Sequence, residues 1–268
     1  MTELALPALY AVFLWYFATG IILFLDGLPR ATFRWSLAAA TVLLAGALYD
    51  LRVSAFDGTV SGAYTAFTCA ILVWAWLEMS FLMGFITGPR KHACREHCGG
   101  WQHFRHATEA IIYNELATLT GGALVAAATW GAPNRFGLYT YCVLWAMRLS
   151  AKLNLFFGVL NTGEQFLPDH LRYLRGFFRR RRMNFLFPFS ICGSTTVAVL
   201  LAQKMLAVPE DAFQATGYAL VTSLLALAIL EHWFMVLPIP TEKLWGWGFR
   251  STNAAPLRPL PDPIRVRE

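Results

Sequence analysis

Charged side chains are scarce in this chain of 268 residues: Asp, Glu, Lys and Arg make up 14%, where a soluble domain carries about 25%. The shortage excludes an ordinary soluble protein. With 57% hydrophobic residues, 15% aromatic residues and a mean hydropathy of +0.48, the chain reads as an integral membrane protein. Its long apolar blocks lack the alternation of period two that a transmembrane barrel needs, which leaves helices. Phosphate and dinucleotide fingerprints, Ser/His/Asp sets and Cys/His sets are missing as local motifs. Glu-x-x-His pairs are missing too, and "RHATEAIIYNEL" runs His106-x-x-Glu109, the reverse of the di-iron order. No internal repeat or matched pair of broken helices marks a two-half transporter.

What is present comes in blocks of about 20 apolar residues, the length that crosses a bilayer as a helix. Seven spans are expected, at 5–25, 33–49, 60–87, 107–130, 136–160, 184–206 and 212–238. The second is the shortest of apolar residues, so a six-span reading with an interfacial second segment stays open. The first span has neither a basic leader nor a small-residue cleavage site and is read as a mature helix. Residues 1–248 are expected to form one transmembrane domain. Residues 249–268 are expected to be an irregular Pro/Arg-rich cytoplasmic tail.

Lys and Arg in short loops stay in the cytoplasm. Of 22 such residues, seventeen lie in the loops after spans one, three and five and in the C-terminal tail; Arg52, Arg135 and Lys204 lie on the other side. The expected fold is therefore an all-α bundle of seven transmembrane helices, N-terminus periplasmic and C-terminus cytoplasmic. The same loops account for the net charge of +6 without nucleic acid, because juxtamembrane cations are attracted to anionic lipids. In "NTGEQFLPDHLRYLRGFFRRRRMN" a basic amphipathic helix is expected in the interface at 169–182. Leu174, Phe177 and Phe178 would face inward, and Arg172, Arg175, Arg179, Arg180, Arg181 and Arg182 outward.

Five cysteines do not make a disulfide framework. Three lie in spans, and Cys94 and Cys98 lie in a loop placed in the cytoplasm, where disulfides are disfavoured. "KHACREHCGGWQHFRH" suggests zinc through His92, Cys94, His97 and Cys98, but C-x-x-x-C is not the paired CxxC framework. A solvated loop is the expectation there.

The remaining cations, Arg148 and Lys152, sit one turn apart inside span five, where each charge costs at least ~2.5 to 3.5 kcal/mol. Counted at about 1.5 Å per residue from the nearest cytoplasmic end, Glu78, Glu115, Lys152 and Glu231 share one depth. Glu109, Asn114, Arg148, Asn154 and His232 are gathered near it. Ions in hydrocarbon must face the bundle interior and pair, or line a wet cavity. Arg148 or Lys152 is thus expected within hydrogen-bonding reach of Glu78, Glu109, Glu115 or Glu231, with surplus carboxylates left for a proton, a cation or a polar ligand group. His232 reads either as a tetrapyrrole metal ligand or as a hydrogen-bonded core residue.

"FLWYFATGIIL", "RLSAKLNLFFGV", "EQFLPDHLRYL", "RRRRMNFLFPFS" and "LEHWFMVLPIP" followed by "LWGW" together resemble the photosynthetic complex assembly protein 2 family, PuhE, of purple phototrophic bacteria. The resemblance covers nearly the whole chain and picks out Arg148, Lys152, Asn154, Glu164, Pro168, Asn184, Pro188, Glu231, His232 and Pro238. Asn114-Glu115 stands where the family pattern has His-Glu, and "NTGEQFLP" is looser than its Asn-x-Glu-Phe-Leu-Pro form. The resemblance implies a factor of a bacterial inner membrane, cytoplasmic or intracytoplasmic. That factor would assemble reaction-centre and light-harvesting complexes or handle bacteriochlorophyll and its precursors. Its partners would be anionic lipids and photosystem subunits or pigment-biosynthesis proteins. The alternative is an integral membrane enzyme of pigment metabolism that uses the buried carboxylate and His cluster, with or without a metal.

Overall fold

The computed structural model describes residues 2–94 and 98–239; His97 and the tail at 249–268 lie outside the described residues. Among the described residues seven α-helices follow in order: α1 Thr2–Asp26, α2 Arg30–Ser54, α3 Val60–Leu82, α4 Gly100–Ala128, α5 Phe136–Phe157, α6 Leu186–Leu206 and α7 Ala212–Phe234. Two 3-10 segments, Glu164–Phe166 and Asp169–Phe177, lie between α5 and α6. Among the described residues there is no strand, only an isolated parallel bridge between Val159 and Arg180.

Six helices, all but α5, are long and apolar enough to cross a membrane, as in a multi-pass membrane protein. The weak span is therefore not the second. Pro29 precedes α2, which runs for 25 residues through Asp50 and Arg52, so the apolar run at 33–49 understated it. Arg52 closes that helix with its guanidinium 4.4 Å from the centre of the Phe56 ring. The helix that falls short is α5, because Arg148, Lys152 and Asn154 dilute its apolar residues. At 22 residues it is nevertheless about 33 Å long.

Helices α3, α5 and α7 contact one another and form the centre, with α1, α2, α4 and α6 around them. One core joins Leu51, Val73, Val125 and Tyr141 across α2 to α5, and another joins Ala11, Phe67, Leu220 and Leu224 across α1, α3 and α7. The α5–α7 approach depends on Gly217: a Cβ there would meet the Phe136 ring at 2.1 Å. Asparagines staple both ends. Asn134 Nδ2 donates to the carbonyls of Ser54 (2.9 Å) and Gly62 (3.0 Å), tying the α2–α3 turn to α5. At the opposite end Asn161 Nδ2 donates to the carbonyls of Phe234 and Leu237.

That opposite end, which carries Arg90 and Arg180, is closed by the segment after α5. Of the expected inward face, Leu174 and Phe177 are buried and, with Leu171, pack on Phe81 and Ala110, whereas Phe178 is only partly buried. The expected α-helix over 169–182 is not. Leu171, Leu174 and Phe177 recur at intervals of three, which aligns them on one side of a three-residue turn. The segment is accordingly a 3-10 helix that stops at Phe177. Phe178 is extended, and the arginines beyond it run alongside Val159, whose N–H donates to the Arg179 carbonyl and whose carbonyl accepts from Arg181 N–H, both at 3.1 Å.

Candidate functional site

Arg148 and Lys152 share one face of α5, and neighbouring helices present each with a carboxylate. Arg148 Nη2 donates to Glu78 Oε2 of α3 at 2.7 Å. Lys152 Nζ donates to Glu115 Oε1 of α4 at 2.6 Å and also stands 5.9 Å from the centre of the Phe81 ring. Pairing at these distances offsets part of the cost of keeping four ions away from bulk water. Glu231, on α7, accepts from Trp15 Nε1 of α1 at 3.0 Å and lies within the field of Arg148 and Glu78.

Four gathered residues do not join this layer, Asn154 and His232 among them. Glu109 instead faces the loop after α3, taking Arg90 Nε at 3.1 Å and Arg105 Nε at 3.3 Å. The loop reaches it because Gly88 lies against α4, where a Cβ would stand 2.1 Å from the Glu109 carbonyl. Asn114 is buried beneath the same loop, and its N–H lies 3.1 Å from the Thr87 carbonyl. Axial counting places these residues near the layer, but their azimuth turns them elsewhere. Among the acids gathered from the sequence, Glu231 is left without a cation of its own.

A cavity of about 490 Å³ opens beside the layer, between α1, α3, α5, α7 and the closing segment. Trp15, Trp74, Phe81, Phe156 and Phe177 wall it, and Glu78, Arg148, Lys152 and Glu231 mark its polar side. The size is within the ~300–1,000 Å³ of small-molecule sites, which combine apolar walls with a few placed polar groups. Arg148 Nε is buried without a hydrogen-bond partner among the described residues. The side chain as a whole is 39% exposed and lines the cavity, so its guanidinium, though not Nε, can meet a bound oxygen.

His232 does something different. Its Nδ1 lies 2.9 Å from the Ala228 carbonyl, so Nδ1 carries the hydrogen and, in the neutral ring, Nε2 accepts from Ser150 Oγ at 2.9 Å. Ser150 and Ser190 hydroxyls lie 2.9 Å apart, Asn154 Nδ2 donates to Ser190 Oγ at 3.0 Å, and Asn184 Nδ2 donates to Asn154 Oδ1 at 3.0 Å. This chain ties α5, α6 and α7 together. Both ring nitrogens are engaged, so His232 is the hydrogen-bonded core residue rather than a free axial ligand.

The six arginines of the closing segment also divide. Arg180 pairs with Glu164 at 3.1 Å and Arg172 with Asp169 at 2.5 Å; Arg179 lies 5.5 Å over Phe156. Arg181 and Arg182 are exposed. Burial alone would raise the Glu164 carboxyl, but the Thr162 hydroxyl and Arg180, with Arg175 nearby, outweigh it and hold it below the usual carboxylate range. In the other basic loop, burial and the adjoining Cys98 push the Cys94 thiol up to about 11.

Two of these partners had no signal in the sequence: Trp15 and Ser190 are ordinary span residues until the helices are rotated against one another. A search for hydrogen-bonding residues one turn from Asn154 would have found Ser150.

Among known proteins, a curated relative from Rhodobacter capsulatus, described as an uncharacterized 30.4 kDa protein in the puhA 5′ region, is 38% identical over 266 residues, covering 98% of this chain and 96% of its own length. No solved structure matches the chain. The model of the family described as protein of unknown function DUF3623 matches residues 1–255, and the chain belongs to that family.

Proposed function

We propose that this protein is a membrane factor of the bacterial photosynthetic apparatus, which holds bacteriochlorophyll or a precursor while reaction-centre or light-harvesting complexes are assembled. The observation that carries the reading is the apolar, aromatic-walled cavity with the partly exposed Arg148 guanidinium on its polar side. A tetrapyrrole is a flat apolar body with oxygen substituents at its edge. The aromatic walls suit the body and Arg148 suits a peripheral oxygen, whereas His232 has no free nitrogen for axial ligation. The fit is therefore through the periphery of the ring. The gene position of the Rhodobacter capsulatus relative, beside puhA in a photosynthesis gene region, supports the same setting.

In this reading α5 is a seventh span. Its ions pair inward with α3 and α4, and its length matches its neighbours. The N-terminus is periplasmic, the basic end is cytoplasmic, and the membrane is the bacterial inner membrane. Support comes from the charge asymmetry of the loops. Anionic lipids meet the exposed arginines of the closing segment, and photosystem subunits or pigment-biosynthesis proteins are the protein partners. The test is gentle solubilisation from phototrophic membranes, followed by absorption spectroscopy and mass spectrometry of what stays bound. A tetrapyrrole is expected with the wild type and lost in the folded double variant Arg148→Met/Glu78→Leu. Equal pigment in both, or none in either, overturns the reading.

A further inference from the structure

The loop after α3 carries two thiols to one imidazole. Cys94 Sγ lies 3.1 Å and Cys98 Sγ 3.2 Å from His106 Nδ1 in the second turn of α4. The three potential ligand atoms all fall within 4.8 Å of one another. We propose that Cys94, Cys98 and His106 form a binding site for one thiophilic divalent metal ion, zinc in the first instance.

Hydrogen bonding alone accounts poorly for the arrangement. A ring nitrogen has either one lone pair or one hydrogen, so Nδ1 can serve only one of the two sulfurs well. Two sulfurs converging on one nitrogen is the arrangement a shared ion produces. Zinc bonds of about 2.3 Å to sulfur and 2.0–2.1 Å to nitrogen, arranged tetrahedrally, set S···N near 3.5 Å. The observed separations need open by only a few tenths of an ångström. All three residues are partly exposed, so an ion can reach them.

The donor set decides the class of ion. Two thiolates and an imidazole select zinc and its softer neighbours over magnesium or calcium, which take oxygen ligands. Metal entry releases both thiol protons, and the resulting two negative charges balance the ion. Three ligands leave a fourth position for water or an external donor.

The site also has a mechanical consequence. Cys94 packs in the cluster of Leu171, Leu174 and Phe177, and Gly176 crosses the loop so closely that a Cβ would lie 2.6 Å from Ala93 Cβ. Leu174 and Phe177 also line the cavity. An ion there clamps the loop to α4 beneath the segment that closes the cavity.

The test uses the full-length protein, purified with a tag free of His and Cys and kept reduced. Elemental analysis is expected to find about one zinc per chain, falling to background in Cys94→Ser/Cys98→Ser and in His106→Ala. Cobalt titration of chelator-stripped wild type is expected to give thiolate-to-metal charge transfer and tetrahedral d–d bands, both reversed by zinc. This second measurement needs no variant. His92→Ala, one step outside the cluster, is expected to retain the ion. The proposal is overturned if reduced wild type takes up neither metal, if the folded Cys and His variants keep it, or if the thiols form a disulfide and bind no metal after reduction.

Discussion

Lys152 and Arg148, one turn apart on α5, serve different helices: Lys152 binds Glu115 of α4, and Arg148 binds Glu78 of α3. The two pairs differ in surroundings as well. Lys152 and Glu115 are about equally enclosed, with side chains 19% and 22% exposed, whereas Arg148 is 39% exposed, toward the cavity.

Removing one partner of the enclosed pair strands the other. Lys152→Met is expected to destabilise the protein in detergent by about 3 to 5 kcal/mol, and Lys152→Met/Glu115→Leu to recover most of it. Thermal unfolding followed by tryptophan fluorescence measures both. Arg148→Met/Glu78→Leu is expected to fold equally well but lose ligand, because Arg148 faces the cavity. Retained pigment in that double variant would make the pair purely structural.

His232→Phe removes the side-chain bonds to the Ala228 carbonyl and to Ser150 Oγ, which keeps Ser190, at a cost of about 0.5 to 1.5 kcal/mol per lost bond. The expected signature is lower thermal stability with the visible spectrum of any bound pigment unshifted. A shifted spectrum would mean that the ring ligates the pigment after all.

The arginine cluster should separate by position. Arg181→Gln/Arg182→Gln is expected to weaken binding to vesicles containing anionic lipid while leaving stability unchanged. Arg180→Gln is expected to cost less than about 1 kcal/mol, since its pair with Glu164 is largely exposed on the Arg side. Vesicle flotation alongside unfolding curves distinguishes the two effects.

Acid should loosen the closing segment. The folded-state value of Glu164 is depressed, so its contribution is fully present above the ordinary carboxylate range and is lost as pH falls through the folded value. His170, held neutral by burial while its Nε2 bonds the Leu82 carbonyl at 2.7 Å, likewise contributes above the ordinary imidazole range and loses that contribution on acidification. Hydrogen exchange of residues 164–178 is expected to quicken, relative to the intrinsic rate, as pH falls from about 7 through the imidazole range and on below the ordinary carboxylate range. Glu164→Gln should remove the lower part of that response.

Orientation is tested by tags. Reporters at the N-terminus and after Arg135 are expected to be accessible from the periplasm, and those after Gly99 or Pro261 only from the cytoplasm. A cytoplasmic N-terminus would reverse the proposed topology.

Composition and apolar block length determined the helical membrane class, and the scarcity of charge within the spans was enough to make Arg148 and Lys152 conspicuous. A rise of about 1.5 Å per residue also placed Glu78, Glu115, Lys152 and Glu231 at one depth. Depth is an axial coordinate, however, and it carries no information about how each helix is rotated. Only the tertiary structure decided that Glu115 goes to Lys152 and Glu78 to Arg148, that Trp15 reaches Glu231, and that Glu109 turns away to Arg90. The same holds for the loop thiols. C-x-x-x-C spacing is uninformative along the chain, and His106 meets Cys94 and Cys98 because Gly88 lets the loop fold back onto α4. Hydropathy is a property of each segment by itself, whereas pairing is a property of faces that meet, and helix packing sets which faces meet.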